Sequence, residues 1–456
     1  MSDIKFDGQS FTKDEFRNYI KNKIDVKDNL NYKDKNDSTA LMLASRYSND
    51  TSSLETVKAL INAGANLDLQ DEDGWTALMM ASRYSNDTSS LETVKTLIDA
   101  GANLDLQKKD GWTALMMASR YSNDASSLET VKALIDAGAK LNMQNNEGYT
   151  ALMLASGLSN KTSSLETVKI LIEAGANLDL QHKDGFTALM LASGVSSKIS
   201  SLETVKTLIE AGANLDMQNN EGYTALMLAT ANSNNESSLE TVKTLIKAGA
   251  NLNLQCTSYS GATCVILASM SLNNNDSTID TIKILMDAGA DMDMKTNYGD
   301  TCLSYLVRFT KSLDIIKEVV EKGVSVNHLT TYSSLSKEFT FSKNMIDNMD
   351  GNSLLHLCAI GIKEGTSSYQ ILSYLETLNI DKSLKNQGGK TYSDYLYKVD
   401  YYISKQCNIC YEENEYFTML NCACKCCKFC LDCSKEIDTC CYCKEKFDGY
   451  KIIKFI

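Results

Sequence analysis

"DGWTALMMASRYSNDTSSLETVKTLIDAGANLDLQ", residues 73–107, is followed from Asp110 by almost the same words. The Thr of the T-A-L word stands at Thr39, Thr76, Thr113, Thr150, Thr187 and Thr224, a step of 37 residues each time. Looser copies place Thr263 and Thr301 at the same point. Ser353 takes it in "GNSLLHLCA", and "GGKTYSDYL" (388–396) reads as the first half of a tenth copy. A fixed period of this length marks a repeat array, in which one unit cannot bury its apolar face alone and stacking supplies the core.

Within one unit the residues read as turn, helix, loop, helix, turn. Leu78, Met79, Ala81 and Ser82 predict a short helix whose small residues allow close approach. "SSLE" (89–92) fits a capping box with Ser89 as N-cap and Glu92 reaching back. Leu91, Val94, Leu97 and Ile98 recur at helical spacing and predict an apolar face. Gly101 is placed to end that helix in the left-handed conformation. The "ANLDLQ" stretch and the next Gly predict a connecting hairpin.

These words resemble the ankyrin repeat: G-x-T-A-L-M-x-A for the family's G-x-T-P-L-H-x-A, then V-K-x-L-I-x-A-G-A-N-L-D. The resemblance covers residues from about 37 to 400 and implies an all-α repeat solenoid of helix–turn–helix units with hairpin loops, used to bind protein. Three departures stand out. Ala replaces the family's Pro. Met79, Met116, Met153 and Met190 replace its His, which only His356 keeps. Most units are four residues longer, and the excess ("RYSNDTSS") falls between the helices, predicting a longer turn. On this reading 1–36 is an N-terminal cap carrying the amphipathic "FTKDEFRNYIKNKI", 37–326 holds repeats one to eight, 327–349 is an insertion, and 350–403 holds the ninth repeat and the half repeat. An aromatic residue follows the hairpin Gly in five successive units: Trp75, Trp112, Tyr149, Phe186 and Tyr223. Two readings of that column are open. It grips a protein substrate from the concave side, as Trp and Tyr do at interface hot spots, or each ring packs on the neighbouring hairpin.

Composition narrows the function. The chain has 456 residues, 23% charged and 43% hydrophobic, with a net charge of −13 and no basic block. That disfavours a phosphate-tracking surface, so no nucleic-acid partner is expected. No apolar run of membrane-spanning length occurs, and the polar start "MSDIKFDGQSFTKDEF" is not read as a secretory signal. A reducing, cytoplasmic setting is expected, with thiols free or bound to metal. The chain contains no proline, and Asn, Lys and Ile are abundant, which fits an AT-rich genome.

Of 15 cysteines, 11 lie between Cys407 and Cys443. Cys256, Cys264, Cys302 and Cys358 sit in apolar segments and read as small core residues. "CACKCCKFCLDC" (422–433) admits a disulfide knot, a metal sponge, an iron–sulfur site or an ordered zinc module. Spacing favours zinc: Cys407-x2-Cys410, eleven residues, Cys422-x-Cys424-x2-Cys427-x2-Cys430, nine residues, Cys440-x2-Cys443. These are four pairs, and eight thiolates suit two closed tetrahedral sites.

This pattern resembles the RING finger, with "CNIC" as its first pair and "CCYCK" as its last. The resemblance implies a small zinc-bound RING domain over 404–456 and two Zn2+ in a cross-brace. Cys407, Cys410, Cys427 and Cys430 would hold one ion, and Cys422, Cys424, Cys440 and Cys443 the other, with Cys424 where the family has His and Cys426 as the competing ligand. It also implies recruitment of a ubiquitin-conjugating enzyme, with Ile409, Ile437 and Tyr442 in apolar contact. Lys444 stands at the family's activating Arg, and Phe455 matches an aromatic that serves dimerisation and activity in inhibitor-of-apoptosis RINGs. A homodimer through this domain is one implication. The layout as a whole resembles the ankyrin proteins of giant DNA viruses, for which the host cytosol would be the place of action. Two functions are carried forward: a RING-type ubiquitin ligase with no covalent intermediate, and a non-enzymatic ankyrin scaffold with a structural or dimerising zinc module. None of His182, His328 and His356 is assigned to catalysis.

Overall fold

A computed structural model describes residues 4–6, 8–25, 29–49, 54–194, 198, 200–234, 237–258, 261–272, 278–327, 351–364, 366–396, 416–420, 428–430 and 450–454. The chain divides into two compact units, Met1–Asn251 and Leu252–Ile456.

The first unit opens with a short hairpin, β1 (Ile4–Phe6) paired antiparallel to β2 (Gln9–Phe11), followed by helix α1 (Lys13–Asp25). Phe16 and Ile20 of α1 are buried, and the rings of Phe6, Phe11, Phe16 and Tyr19 meet edge-on or tilted. Six helix pairs follow at the repeat spacing. The first helices are α2 (Ala40–Arg46), α4 (Ala77–Arg83), α6 (Ala114–Arg120), α8 (Ala151–Gly157), α10 (Ala188–Gly194) and α12 (Ala225–Ala231). The second helices are α3 (Leu54–Asn62), α5 (Leu91–Asp99), α7 (Leu128–Asp136), α9 (Leu165–Glu173), α11 (Leu202–Glu210) and α13 (Leu239–Lys247). First helices pack on first helices and second on second, forming two rows, and α1 packs on α3 at the front.

The second unit continues the pattern with α14 (Cys264–Ser271), α15 (Ile279–Asp287), α16 (Cys302–Phe309) and α17 (Leu313–Glu321), then α18 (Leu354–Glu364) and α19 (Tyr369–Leu375). Thr391 caps a single 3-10 turn, Tyr392–Asp394, where the tenth copy starts. The predicted insertion, apart from its first residue, lies outside the described residues. Near the C-terminus β3 (Tyr416–Leu420) is the central strand of an antiparallel sheet, between β4 (Lys428–Cys430) and β5 (Tyr450–Lys454).

Each seven-residue first helix is too short to stand alone in water. It forms because Thr76 and its equivalents cap it, the Thr76 hydroxyl accepting from Met79 N at 3.2 Å, and because every residue from Ala77 to Ser82 is buried. In α5 the buried face is Thr93, Val94 and Leu97, while Leu91 and Ile98 are half-buried. Burying one Leu or Val of this face contributes about 1.5–3 kcal/mol. The helix ends in a Schellman motif: Ala102 N donates to Leu97 O at 3.0 Å and Gly101 N to Ile98 O at 2.9 Å, with Gly101 at φ +88°.

In place of the expected capping box at 89–92 stands a simple N-cap one residue later. Ser90, not Ser89, is the N-cap of α5, accepting from Thr93 N at 3.2 Å. Ser89 is fully buried and donates its hydroxyl to Ser45 O, one repeat earlier, at 2.6 Å. It also shares a 3.2 Å hydrogen bond with Ser48, whose hydroxyl accepts from Thr93 at 2.6 Å. The same group recurs as Ser85–Ser126–Thr130 and Ser122–Ser163–Thr167. The four extra residues therefore complete a buried hydroxyl ladder between neighbouring units. The exposed part of the same loop is joined by backbone, Asn49 N to Thr88 O at 2.9 Å and Asn86 N to Ala125 O at 3.0 Å.

Cys264, Cys302 and Cys358 are buried thiols whose pKa burial pushes up to about 12, as expected of core residues, and Cys256 is buried as well. Among the described residues, no helix is long and apolar enough to cross a membrane.

Candidate binding surface

The hairpins are built by Asx turns. Asp71 Oδ1 accepts from Asp73 N and Trp75 N at 3.0 and 2.8 Å, while Asp71 N donates to Trp75 O at 3.0 Å. Asn145 and Asn219 do the same for Tyr149 and Tyr223. His182 substitutes a ring nitrogen, its Nδ1 accepting from Asp184 N at 3.0 Å. Neighbouring hairpins are joined through Gln107, whose Nε2 donates to Gly111 O at 2.7 Å and to Gln144 O at 2.9 Å, and Gln70, Gln144 and Gln181 repeat the bridge. A second row links Asn103 N to Asp68 Oδ1 at 2.8 Å and Lys140 N to Asp105 Oδ1 at 2.9 Å.

On this frame Trp75, Trp112, Tyr149 and Phe186 are half-buried, and Tyr223 is buried. Tyr149 stacks on His182 of the next hairpin, ring centroids 4.5 Å apart, and His182 stacks on Phe186 at 5.3 Å. Lys108 Nζ lies 5.5 Å from the Trp75 ring. Tyr149 thus packs on the neighbouring hairpin, and Trp75, Trp112, Tyr149 and Phe186 stay partly exposed. Burial depresses the His182 pKa, against the opposing pull of Asp184 and Glu147. Its Nδ1 accepts a backbone N–H, so the neutral ring is the fitted form.

Beside the column runs a feature that sequence reading missed. Arg46, Arg83 and Arg120 end the first helices of the first three repeats. Each guanidinium stacks on tyrosine: Arg46 on Tyr47 and Tyr84 at 5.2 and 4.9 Å, Arg83 on Tyr84 and Tyr121 at 5.1 and 3.1 Å, Arg120 on Tyr121 at 5.5 Å. Arg120 also lies over Trp112 at 5.5 Å. In the next two repeats the position is Gly157 and Gly194. There a groove of about 420 Å³ opens, lined by Trp112, Arg120, Tyr149, Met153, Gly157 and Leu191 among others. The available signal was a cationic residue at the full repeat period that stops after three copies.

The family model described as "Ankyrin repeats (3 copies)" matches residues 16–99, 85–175, 158–256 and 233–330. The chain belongs to the ankyrin-repeat family. No curated protein matches it significantly. Ankyrin arrays generally bind protein partners, and this surface has the parts for it: a half-exposed aromatic column, a row of cations and an apolar groove. His356, the one His at this position, makes two hydrogen bonds, Nδ1 to the Ser353 hydroxyl at 2.8 Å and Nε2 to Lys390 O at 2.9 Å. Where Met replaces it, at Met42 and Met227, the sulfur accepts the N–H of the capping Thr at 3.4 and 3.5 Å, a weaker substitute.

Of the expected zinc ligands, only Cys430 is described, at the end of β4 opposite Phe417 of β3. Cys407, Cys410, Cys422, Cys424, Cys427, Cys440 and Cys443 lie outside the described residues, as do Ile409, Ile437, Tyr442, Lys444 and Phe455. Among the described residues no three His, Cys, Asp or Glu side chains gather as a metal site.

Proposed function

We propose that the protein is a RING-type ubiquitin ligase in which the ankyrin array holds a protein substrate and the C-terminal fifty residues recruit a charged conjugating enzyme. The observation that carries this reading is the cysteine pattern, four ordered pairs in the order and spacing of the RING family. The sheet is compatible with it. The β3–β4 connection, 421–427, carries Cys422, Cys424 and Cys427, and Cys430 ends β4. β4 and β5 both pair with β3, and Cys440 and Cys443 fall between those two strands in the sequence. A donor set of eight thiols fits two zinc ions.

Zinc, when bound, supplies a structural cross-link that a segment this short cannot replace with a core of its own. The chain's own residues do the rest. Ile409, Ile437 and Tyr442 form the apolar contact with the conjugating enzyme, and Lys444 provides a cation toward ubiquitin. Lys lacks the planar fork of Arg, and this favours a second reading, a non-enzymatic scaffold whose zinc module is structural or dimerising.

The test is autoubiquitination by zinc-loaded full-length protein across a panel of conjugating enzymes, with Cys407→Ala and Ile409→Ala beside it. Chains formed by the wild type and lost in both variants support the ligase. Silence across the panel with two zinc ions bound per chain overturns it in favour of the scaffold.

A further inference from the structure

We propose that Arg46, Arg83, Arg120 and the groove beside Gly157 form one site for an extended acidic peptide that ends in a bulky apolar residue. The inference rests on the protein-binding reading of the array and is independent of the ligase reading.

Three observations carry it. The first is the absence of a counter-ion. Arg46, Arg83 and Arg120 are half-buried, and among the described residues none of the three forms an ion pair. One nitrogen of each is closed to solvent, so a partner meets the part of the side chain that stays exposed. The second is geometry. Stacking on Tyr47, Tyr84 and Tyr121 holds each guanidinium by its face, so a carboxylate would meet it in the guanidinium plane. The third is charge. The chain carries −13 overall, yet these three cations recur at the same position of three successive repeats without an ion pair. Elsewhere on the array some lysines are matched locally, as in Lys169–Glu166, Lys206–Glu203 and Lys243–Glu240, while others, such as Lys109 and Lys132, form no ion pair among the described residues. Glu147, which also lines the groove, is itself paired with Lys183 at 3.6 Å.

The spacing selects the ligand. Helices packed side by side lie roughly 8–10 Å apart. A polyproline-II strand returns to the same face every three residues, about 9 Å. Carboxylates at every third residue therefore register with the three arginines. One repeat further, where Gly157 removes the side chain, the floor of Met153, Leu154, Leu158 and Leu191 receives an apolar side chain between Trp112 and Tyr149. A Cβ at Gly157 would lie 3.6 Å from Leu191 Cβ, ordinary contact, so the backbone itself does not demand glycine there.

The experiment is fluorescence anisotropy with the full-length protein. The probe is a labelled synthetic peptide with glutamate at every third position and leucine three residues beyond the last glutamate, in both chain directions. Saturable, salt-sensitive binding in one direction is expected. It should weaken about tenfold in Arg83→Gln, the loss of one charge-assisted contact, and less in Arg83→Lys, which keeps the charge and guards against a folding defect. Gly157→Leu should weaken the leucine peptide and leave a leucine-free version unchanged. Absence of saturable binding, equal binding of a glutamine-for-glutamate peptide, or indifference to Arg83→Gln would each overturn the proposal. So would a single-stranded oligonucleotide that binds the row more tightly than the peptide. A protein partner that binds the array normally in Arg83→Gln would sink this site and leave the array reading standing.

Discussion

Two glycines with nearly the same backbone should differ sharply on substitution by alanine. Gly111 has φ +85° and Gly138 has φ +92°. An alanine at either carries the left-handed penalty of about 1–2 kcal/mol. At Gly138 a Cβ meets nothing within 4 Å, so Gly138→Ala should cost only that amount. At Gly111 the Cβ would lie 2.5 Å from Asn146 N and 2.8 Å from Asn145 Cα, both backbone atoms of the next hairpin. Restoring a tolerable 3.4 Å moves that hairpin by about 0.9 Å (3.4 less 2.5). Three hydrogen bonds cross this junction: Asn146 N to Asp110 O at 2.9 Å, Asn146 Nδ2 to Lys109 O at 2.8 Å, and Gln107 Nε2 to Gln144 O at 2.9 Å. At about 0.5–1.5 kcal/mol each, losing most of them brings Gly111→Ala to about 3–5 kcal/mol. Urea unfolding of the two variants followed by circular dichroism measures the difference. Equal midpoints would refute the idea that hairpins are locked backbone-to-backbone, and leave φ alone as the reason for these glycines.

Ser122→Ala deletes the acceptor of Thr167 Oγ1 in the buried ladder and should cost about 1–3 kcal/mol; in a double-mutant cycle with Thr167→Val the two losses should be clearly non-additive, and additivity would mean the ladder is not a unit. His182 has a pKa lowered by burial, so the unfolded chain binds its proton more readily. Its contribution is present in full above the ordinary histidine pKa, about 6.5, and is lost as pH falls below it. His182→Asn, which installs the residue of the neighbouring hairpins, should flatten the fall in urea midpoint between neutral pH and pH ~5.5, with a residual slope of the same sign from His356, also lowered by burial. Stripping zinc with a chelator should release two ions per chain and leave most of the helical signal, because no expected ligand lies in the first unit; collapse of the helices with the metal would show the two regions folding as one.

The repeat architecture was legible because its signals are local: a capping Thr, an apolar helical face and a Gly just past the helix end recur through the first eight copies. What escaped was non-local. "SSLE" fits a capping box by itself, and only the neighbouring repeat reveals that Ser89 is committed to Ser45 O and Ser48. The cap then falls to Ser90, whose hydroxyl is free to reach Thr93 N. The extra residues looked like a longer turn for the same reason: their partners lie a full repeat away in sequence. The aromatic column was found, yet sequence could not decide between grip and packing. Tyr149 stacks on His182 of the next hairpin, as the packing reading expects, while four of the five rings stay half-buried and Tyr223 is buried.

Near-identical copies also serve as their own controls. A position held constant through the array, such as Thr76 or Leu97 and their equivalents, answers to packing that every unit shares. A position that changes while its surroundings do not answers to something outside the common core. Trp112 and Arg120 occupy two such positions and meet at the surface as ring and cation. Counted from the capping Thr, the same two positions in the second unit are Asp300 and Arg308, both fully buried. Burial pushes the Asp300 carboxyl up to about 7, while the Arg308 charge and the Tyr305 hydroxyl pull it down. One pair of positions is thus half-exposed in an early repeat and a buried polar cluster later. On the reading proposed above, the partner meets the stretch where Arg46, Arg83 and Arg120 stay at the surface together with the groove where glycine replaces them.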